Sequence, residues 1–451
     1  MSFQNILRSA RRATVRTIFG GAIVVGSLEY TTHLPSEGRS SAFYHALADD
    51  WVVPAMRRLL GPEEAHKAAL KIAVLAPTHR PSAKEQRVNV EVRLWEKNKK
   101  KVFSNPIGLA AGYDKDGTAI SSLMAMGFAF VEVGSVCLKA QPGNSSPRMF
   151  RLVEDEAIIN RYGFNSMGAD AVETHLKDYR SAESSLLSDN QESWKQDIFN
   201  FLWPGSTDKK QSGVVGINLG KNKTTSTPIE DYQKLITQLG PYADYLVINV
   251  SCPNVSGVRD LQSSSSLEGL LKGCKEACEQ LEKNGTPKPP LLVKLSPDLT
   301  DSELEDIATV LMKLEIDGII LTNTTTSRPN LVSSDKGEMG GLSGKPLKER
   351  STECIRALYR FTKGTIPIIG VGGVQNGQDA YEKLRAGASL VQVYSGMIYE
   401  GPGMVSKIRD ELAGLMIENG QRDLQNDVIG ADHDEFVHRR KRVIKERVIT
   451  D

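Results

Sequence analysis

Cysteine is scarce in this 451-residue sequence, and the five that occur, Cys137, Cys252, Cys274, Cys278 and Cys354, form no Cys-x-x-Cys pair. An odd, scattered set excludes a disulfide scaffold and argues against a zinc ribbon or a cysteine-ligated iron–sulfur cluster. Cys274 and Cys278 lie one helical turn apart with no histidine or further cysteine nearby, so they are expected to pack, and no metal site is expected. Net charge is also lacking: 56 basic and 55 acidic side chains leave +1, which speaks against a nucleic-acid partner held by a general electrostatic field. The apolar run at 18–28 has only 11 residues, short of the about 20 that a bilayer crossing requires. What remains is 40% hydrophobic and 25% charged, an ordinary globular composition long enough to bury a sizeable core.

One asymmetry survives the averaging. Arg8, Arg11, Arg12 and Arg16, interleaved with Ser2, Ser9, Thr14 and Thr17, all precede the first carboxylate, Glu29. A cationic, hydroxyl-rich, acid-free stretch is the composition of a mitochondrial targeting segment, assigned to 1–17. The apolar run after it, extended by its flanks to 18–34, predicts a transmembrane anchor. A cleaved presequence without an anchor and a surface-lying helix are the alternatives. Residues 42–80 predict a helical hairpin: apolar periodicity over 42–53, a kink at Pro54, a turn at Gly61-Pro62, and a second helix over 65–75 ending before Pro77. It is either a cap on the following domain or an apolar mouth facing a membrane.

From about residue 100, short β-rich runs alternate with helical stretches: 106–110, 130–133, 214–219, 245–250, 291–295, 318–322, 366–369 and 390–393. Eight such runs predict an α/β fold, a (β/α)8 TIM barrel spanning 100–430. A serine- and lysine-rich surface insertion at 180–213 carries an aromatic knot at 199–205, and 431–451 reads as a charged, solvated tail.

Each predicted strand runs into polar residues or glycines, the end at which such barrels build active sites. Gly372-Gly373 and Ser395-Gly396 can bring bare backbone amides against a phosphate. Lys294, on a buried strand, needs an anionic partner, and beside a flavin it would favour negative charge on the reduced ring. Asn160, Asn218, Asn249 and Asn323 donate and accept without titrating, which suits a planar heterocycle. No dinucleotide fingerprint is present. The combination points to flavin mononucleotide (FMN), one per chain.

Ala-Ala-Gly-Tyr-Asp-Lys (110–115), Asn-Arg-Tyr-Gly-Phe-Asn-Ser (160–166), Asn-Leu-Gly-Lys-Asn-Lys (218–223), Asn-Val-Ser-Cys-Pro-Asn (249–254), Thr-Asn-Thr-Thr (322–325), Gly-Leu-Ser-Gly-Lys-Pro-Leu (341–347) and Gly-Val-Gly-Gly-Val (370–374) resemble dihydroorotate dehydrogenases in the same order. The resemblance covers about 42–433. The basic leader, the anchor-like run and Glu64-Ala65-His66 are similar to the membrane-bound class 2 enzymes, which oxidise dihydroorotate to orotate in pyrimidine biosynthesis and pass the electrons to ubiquinone. It implies an inner mitochondrial membrane protein, single-pass, with its catalytic domain facing the intermembrane space and no evident obligate protein partner. By position it implies that Ala110, Ala111, Gly112, Ser135, Asn160, Asn218, Asn249, Lys294, Thr322, Gly344, Gly373, Tyr394 and Ser395 hold FMN. Lys115, Asn160, Arg161, Tyr162, Gly163, Phe164, Asn165, Asn249, Asn254, Asn323 and Thr324 would hold the substrate, with Lys115 facing its carboxylate. His66, Arg151 and Tyr394 would be the polar contacts of a quinone tunnel.

One position departs from the class 2 pattern, which has serine as the base in the strand-four loop. Cys252 stands there, as in the soluble class 1 enzymes. The reaction removes a proton from C5 of dihydroorotate as hydride leaves C6, so a positioned base is required. A thiol, with a reference pKa near 8.5, ionises far more easily than a serine hydroxyl. Ser251 fails on spacing, because the family's base immediately precedes Pro-Asn. Residues 253–266 are expected to form a lid that excludes water. Two competing readings remain: a fumarate-linked, class 1-like enzyme whose leader serves only for targeting, and a catalytically silent flavin-binding barrel.

Overall fold

The computed structural model describes residues 48–73, 76, 78–95, 101–187 and 213–433. The targeting segment, the anchor at 18–34, the aromatic knot and most of the tail lie outside these residues. Among the described residues no helix is long and apolar enough to cross a membrane.

In chain order the strands are β1 (Val92–Leu94), β2 (Lys101–Phe103), β3 (Ile107–Leu109), β4 (Phe130–Val136), β5 (Met149–Leu152), β6 (Ala157–Asn160), β7 (Val214–Leu219), β8 (Tyr245–Asn249), β9 (Leu291–Leu295), β10 (Gly318–Leu321), β11 (Gly341–Gly344), β12 (Ile368–Val371) and β13 (Leu390–Val393). β3, β4, β7, β8, β9, β10, β12 and β13 pair in parallel in that order and close into a barrel. These are the eight strands the alternation predicts, seven within two residues of their expected ends and β4 running three residues further than expected. Their near-continuous Val/Ile/Leu runs follow from burial on both faces, by the interior on one side and the helices on the other. β7, β8 and β9 are buried at every position.

The floor of the barrel is filled by aromatic rings for which glycine leaves room. A Cβ on Gly108 would come within 2.3 Å of the Phe130 ring, and one on Gly216 within 2.0 Å of Tyr245. Phe103, carried by the β1–β2 hairpin, meets Phe130 edge-on at 5.4 Å between centroids, and Trp95 meets Tyr245 at 5.8 Å, so the hairpin plugs this end. With one end closed by bulky side chains, the barrel interior opens at the C-terminal ends of the strands.

There, β11, β6 and β5 form an antiparallel sheet beside the barrel mouth. Its strands have four residues each, too short for the alternation to announce them. The helices are α1 (Val53–Leu59), α2 (Pro62–Ile72), α3 (Ile120–Ala125), α4 (Ala169–Leu187), α5 (Pro228–Leu239), α6 (Ser264–Lys283), α7 (Asp301–Lys313), α8 (Lys348–Phe361), α9 (Gly377–Arg385), α10 (Ser395–Glu400) and α11 (Met404–Glu418). Cys274 and Cys278 lie on the buried face of α6.

The N-terminal helices differ from the expected hairpin in their bounds. A π-turn at Ala48–Val52 leads into α1, so helix continues through Pro54, which sits in the first turn where its missing N–H costs nothing. α2 starts at Pro62, as the turn signal indicates, and ends at Ile72. This unit is pinned over the barrel mouth. Arg148 holds Glu63 through two bonds of 3.0 and 2.7 Å, and Arg151 donates to the Leu60 carbonyl at 2.7 Å. The supposed insertion also begins late, because 180–187 continue α4. The start of the tail is packed rather than solvated: Asp432 pairs with Arg385 and Arg356, and His433 is buried.

Candidate active site

A cleft of about 1080 Å3, its open mouth included, occupies the C-terminal ends of the barrel strands. Almost every residue singled out in the sequence lines it: Ala110, Ala111, Gly112, Lys115, Ser135, Asn160, Tyr162, Gly163, Phe164, Asn165, Asn249, Cys252, Asn254, Lys294, Thr322, Asn323, Thr324, Gly344, Gly373, Tyr394 and Ser395. Two do not. Arg161 follows the last residue of β6, where alternation turns it to the other face, and it pairs with Glu338 at 2.6 Å over the Phe150 ring. Asn218 lies under the cleft, its amide donating to Glu132 at 2.8 Å.

One side of the cleft is shaped by backbone. Gly373 has φ +70°, and a Cβ there would lie 2.6 Å from backbone atoms of Lys348 at the start of α8, so only glycine keeps this loop against the helix. Ser395 begins α10 and donates to Ser343 of β11 at 2.8 Å. Three buried polar atoms of cleft residues, Thr322 Oγ1, Asn165 Oδ1 and Gln392 Oε1, have no partner among the described residues, which fits a ligand with its own donors and acceptors.

The buried cations divide by partner. Lys294 stands 3.9 Å from Glu132; burial pushes its pKa down and the Glu132 carboxylate opposes that shift. Glu132 is therefore the anion that the sequence left unidentified, hidden in the apolar pattern of β4. Lys115 has no carboxylate within ion-pair distance among the described residues. Its ammonium lies 4.0 Å from the centre of the Tyr162 ring, and burial brings its pKa down to about 8. A desolvated ammonium without a counterion is suited to an anionic ligand.

Cys252 is buried beside Phe164, Val255 and Val258. Burial pushes its thiol up to about 11, only partly opposed by the backbone N–H groups of Asn254 and Val255, Arg259 and Lys294. The easy ionisation expected from a free thiol does not hold in this environment. Ser251 is occupied elsewhere: its hydroxyl donates to Asn249 at 3.2 Å and accepts from Asn323 at 2.9 Å. The expected lid is shorter than 253–266, because α6 begins at Ser264. Arg259, in its 3₁₀ turn, ties it to Asp298 at 2.9 Å and to the Thr324 carbonyl at 3.2 Å.

A second cavity, about 460 Å3, lies between the N-terminal helices and the barrel, lined by Val53, Met56, Arg57, Pro62, Ala65, His66, Ala69, Tyr113, Arg151, Met397 and Ile398. His66 and Arg151 belong to it, whereas Tyr394 lines the main cleft. The His66 and Tyr394 rings are 6.5 Å apart and Tyr113 packs on both, so aromatic side chains separate the two spaces. His66 Nε2 lies 2.7 Å from the Tyr113 carbonyl, which only accepts, so Nε2 carries the proton. Burial lowers the pKa of His66 to about 4, leaving a neutral ring with Nδ1 as an acceptor. Tyr113 gave no signal of its own in the sequence beyond its place beside Gly112.

A family model described as dihydroorotate dehydrogenase matches residues 93–416. The chain is 43% identical over 434 residues to the protein named dihydroorotate dehydrogenase (quinone), mitochondrial, of Mus musculus, covering 96% of this chain and 100% of that one. It is 44% identical over 392 residues to the protein of the same name from Arabidopsis thaliana, covering 85% and 81%. To dihydroorotate dehydrogenase (quinone) of Rhodospirillum rubrum it is 42% identical over 391 residues, covering 85% and 95%. A crystal structure of DHODH in complex with ferulenol from Eimeria tenella superposes with a TM-score of 0.72 at 38% identity, covering 84% of this chain and 99% of that one.

Proposed function

Because the chain belongs to the dihydroorotate dehydrogenase family, a family of oxidoreductases, we propose that it oxidises (S)-dihydroorotate to orotate in pyrimidine biosynthesis and passes the electrons to ubiquinone. The observation that carries this reading is the pairing of two cavities across His66, Tyr113 and Tyr394: a polar cleft with an unpaired Lys115, and an apolar chamber under the N-terminal helices.

FMN bound in the main cleft would accept the hydride from C6 of the substrate. The glycine-backed loop at 372–373 and the start of α10 would hold its phosphate, and Lys294, Ser135, Thr322 and Asn249 its ring. Lys115 would take the substrate carboxylate, with Asn160, Asn249, Asn254, Asn323 and Thr324 around the heterocycle. Cys252 would take the C5 proton, and the lid drawn down by Arg259 would exclude water while it does so. In the second chamber, neutral His66 would accept a hydrogen bond at Nδ1 from the reduced quinol, and Arg151, one of whose guanidinium nitrogens is buried with no partner among the described residues, would donate to a quinone carbonyl.

The arginine-rich leader and the mitochondrial naming of the mouse and Arabidopsis relatives support placement at the inner mitochondrial membrane through the N-terminal region. Trp51 and Leu59, exposed at 73% and 80% on the helical unit, suit an apolar surface. Cys252 favours the fumarate-linked alternative, but the chamber's lining, apolar apart from Arg57, His66 and Arg151, suits a quinone ring better than a small dianion. Anaerobic addition of dihydroorotate to the purified protein tests the oxidative half: bleaching of a yellow flavin band with stoichiometric orotate is expected. An unbleached flavin would refute the substrate and return the silent flavin-binding barrel to consideration, and a colourless protein would refute the flavin.

A further inference from the structure

Glu132 is fully buried in β4, and hydrogen-bond donors converge on it from around the barrel. Asn218 Nδ2 lies 2.8 Å from Oε1, Gln392 Nε2 2.6 Å and the Tyr245 hydroxyl 3.4 Å from Oε2, with the Lys294 ammonium at 3.9 Å. A carboxylate only accepts, so Asn218 must turn its NH2 downward and leave Oδ1 facing up. That oxygen accepts from Ser135 Oγ at 2.5 Å and from Asn249 Nδ2 at 3.1 Å. Asn249, having spent its NH2 there, presents Oδ1 to Asn323 Nδ2 at 3.3 Å and to the Ser251 hydroxyl at 3.2 Å. The chain thus runs with one donor direction from Glu132 on β4 through Asn218 on β7 and Asn249 on β8 to Asn323 after β10, and the backbone N–H groups of Ser251 and Thr324, donating to Asn249 Oδ1 at 3.3 Å and to Asn323 Oδ1 at 2.8 Å, enforce the same direction at its upper end.

We propose that Glu132 is a positioning residue which, as the common acceptor at the foot of this chain, holds Asn249 and Asn323 in place against the ligand. It touches no substrate and acts by polarity. Replacing it with glutamine keeps the shape but sets a donor among its donors, so the chain loses its anchor at the foot. The inference rests on the dihydroorotate dehydrogenase reading, since orotate is the probe.

The test is a double-mutant cycle on the flavin-loaded enzyme, with orotate affinity measured by titration calorimetry for wild type, Glu132→Gln, Asn323→Ala and the pair. Each single change is expected to weaken binding about 10-fold, the worth of one hydrogen bond. The double variant should be no weaker than the weaker single, because both break the same chain. Multiplied effects, about 100-fold, or an unchanged affinity in Glu132→Gln would overturn the proposal. If Glu132→Gln does not fold, Asn218→Leu, which cuts the chain one link higher, takes its place with the same two outcomes. Absence of orotate binding by wild type would instead refute the functional reading.

Discussion

The position of the thiol makes the chemistry of Cys252 measurable as a pH dependence. With its pKa pushed up to about 11 by burial, about one thiol in a thousand is ionised at pH 8, a penalty of about 4 kcal/mol that the reaction must meet. If Cys252 removes the C5 proton, single-turnover flavin reduction rises about tenfold per pH unit below that pKa. Removing the base in Cys252→Ala should slow the step by about 100- to 10,000-fold. Cys252→Ser should retain the step but need higher pH than the parent, because a hydroxyl ionises less readily than a thiol. The assay is anaerobic stopped-flow mixing with saturating dihydroorotate, following flavin absorbance from pH 6 upward. Unchanged reduction in Cys252→Ala would refute the assignment, whatever the pH profile of the parent.

Two other features yield distinct signatures. Lys115, with its pKa lowered to about 8, is protonated below that pH and neutral above it, so KM for dihydroorotate should climb above pH 8 while the reduction rate at saturation still rises; steady-state KM profiles check this, and a flat KM would separate Lys115 from the substrate carboxylate. The Glu63–Arg148 pair, with Glu63 held down to about 2 by Arg148, stays ionised throughout the neutral range. Glu63→Gln should remove about 1–2 kcal/mol of docking of the helical unit, slowing reoxidation by a quinone analogue and leaving reduction by dihydroorotate within about twofold; equal losses in both half-reactions would contradict the two-cavity account.

The barrel was legible because each of its strands is a buried apolar run, and burial on both faces writes that pattern directly. Most of the cleft was legible too, since Asn249, Lys294 and Gly373 stand at strand ends in recognisable motifs. Other features were not. β5, β6 and β11 are too short to show periodicity, and their pairing brings residue 160 against 341, 181 positions away in the sequence. Glu132 reads as an interruption in an apolar strand until its four donors are seen. Arg161 was misplaced because a motif conveys which residues are neighbours in sequence, while the facing of each is set by the strand that carries it. The raised pKa of Cys252 follows from the packing of Phe164, Val255 and Val258 around it, which no local spacing reveals.

The central claim is that electrons leave the flavin toward a quinone seated under the N-terminal helices. Reoxidation of the dihydroorotate-reduced full-length enzyme, mixed anaerobically with either a short-chain ubiquinone analogue or fumarate, tests it most directly. The account predicts rapid recovery of the oxidised flavin spectrum with the quinone and none with fumarate; recovery with fumarate alone would contradict it.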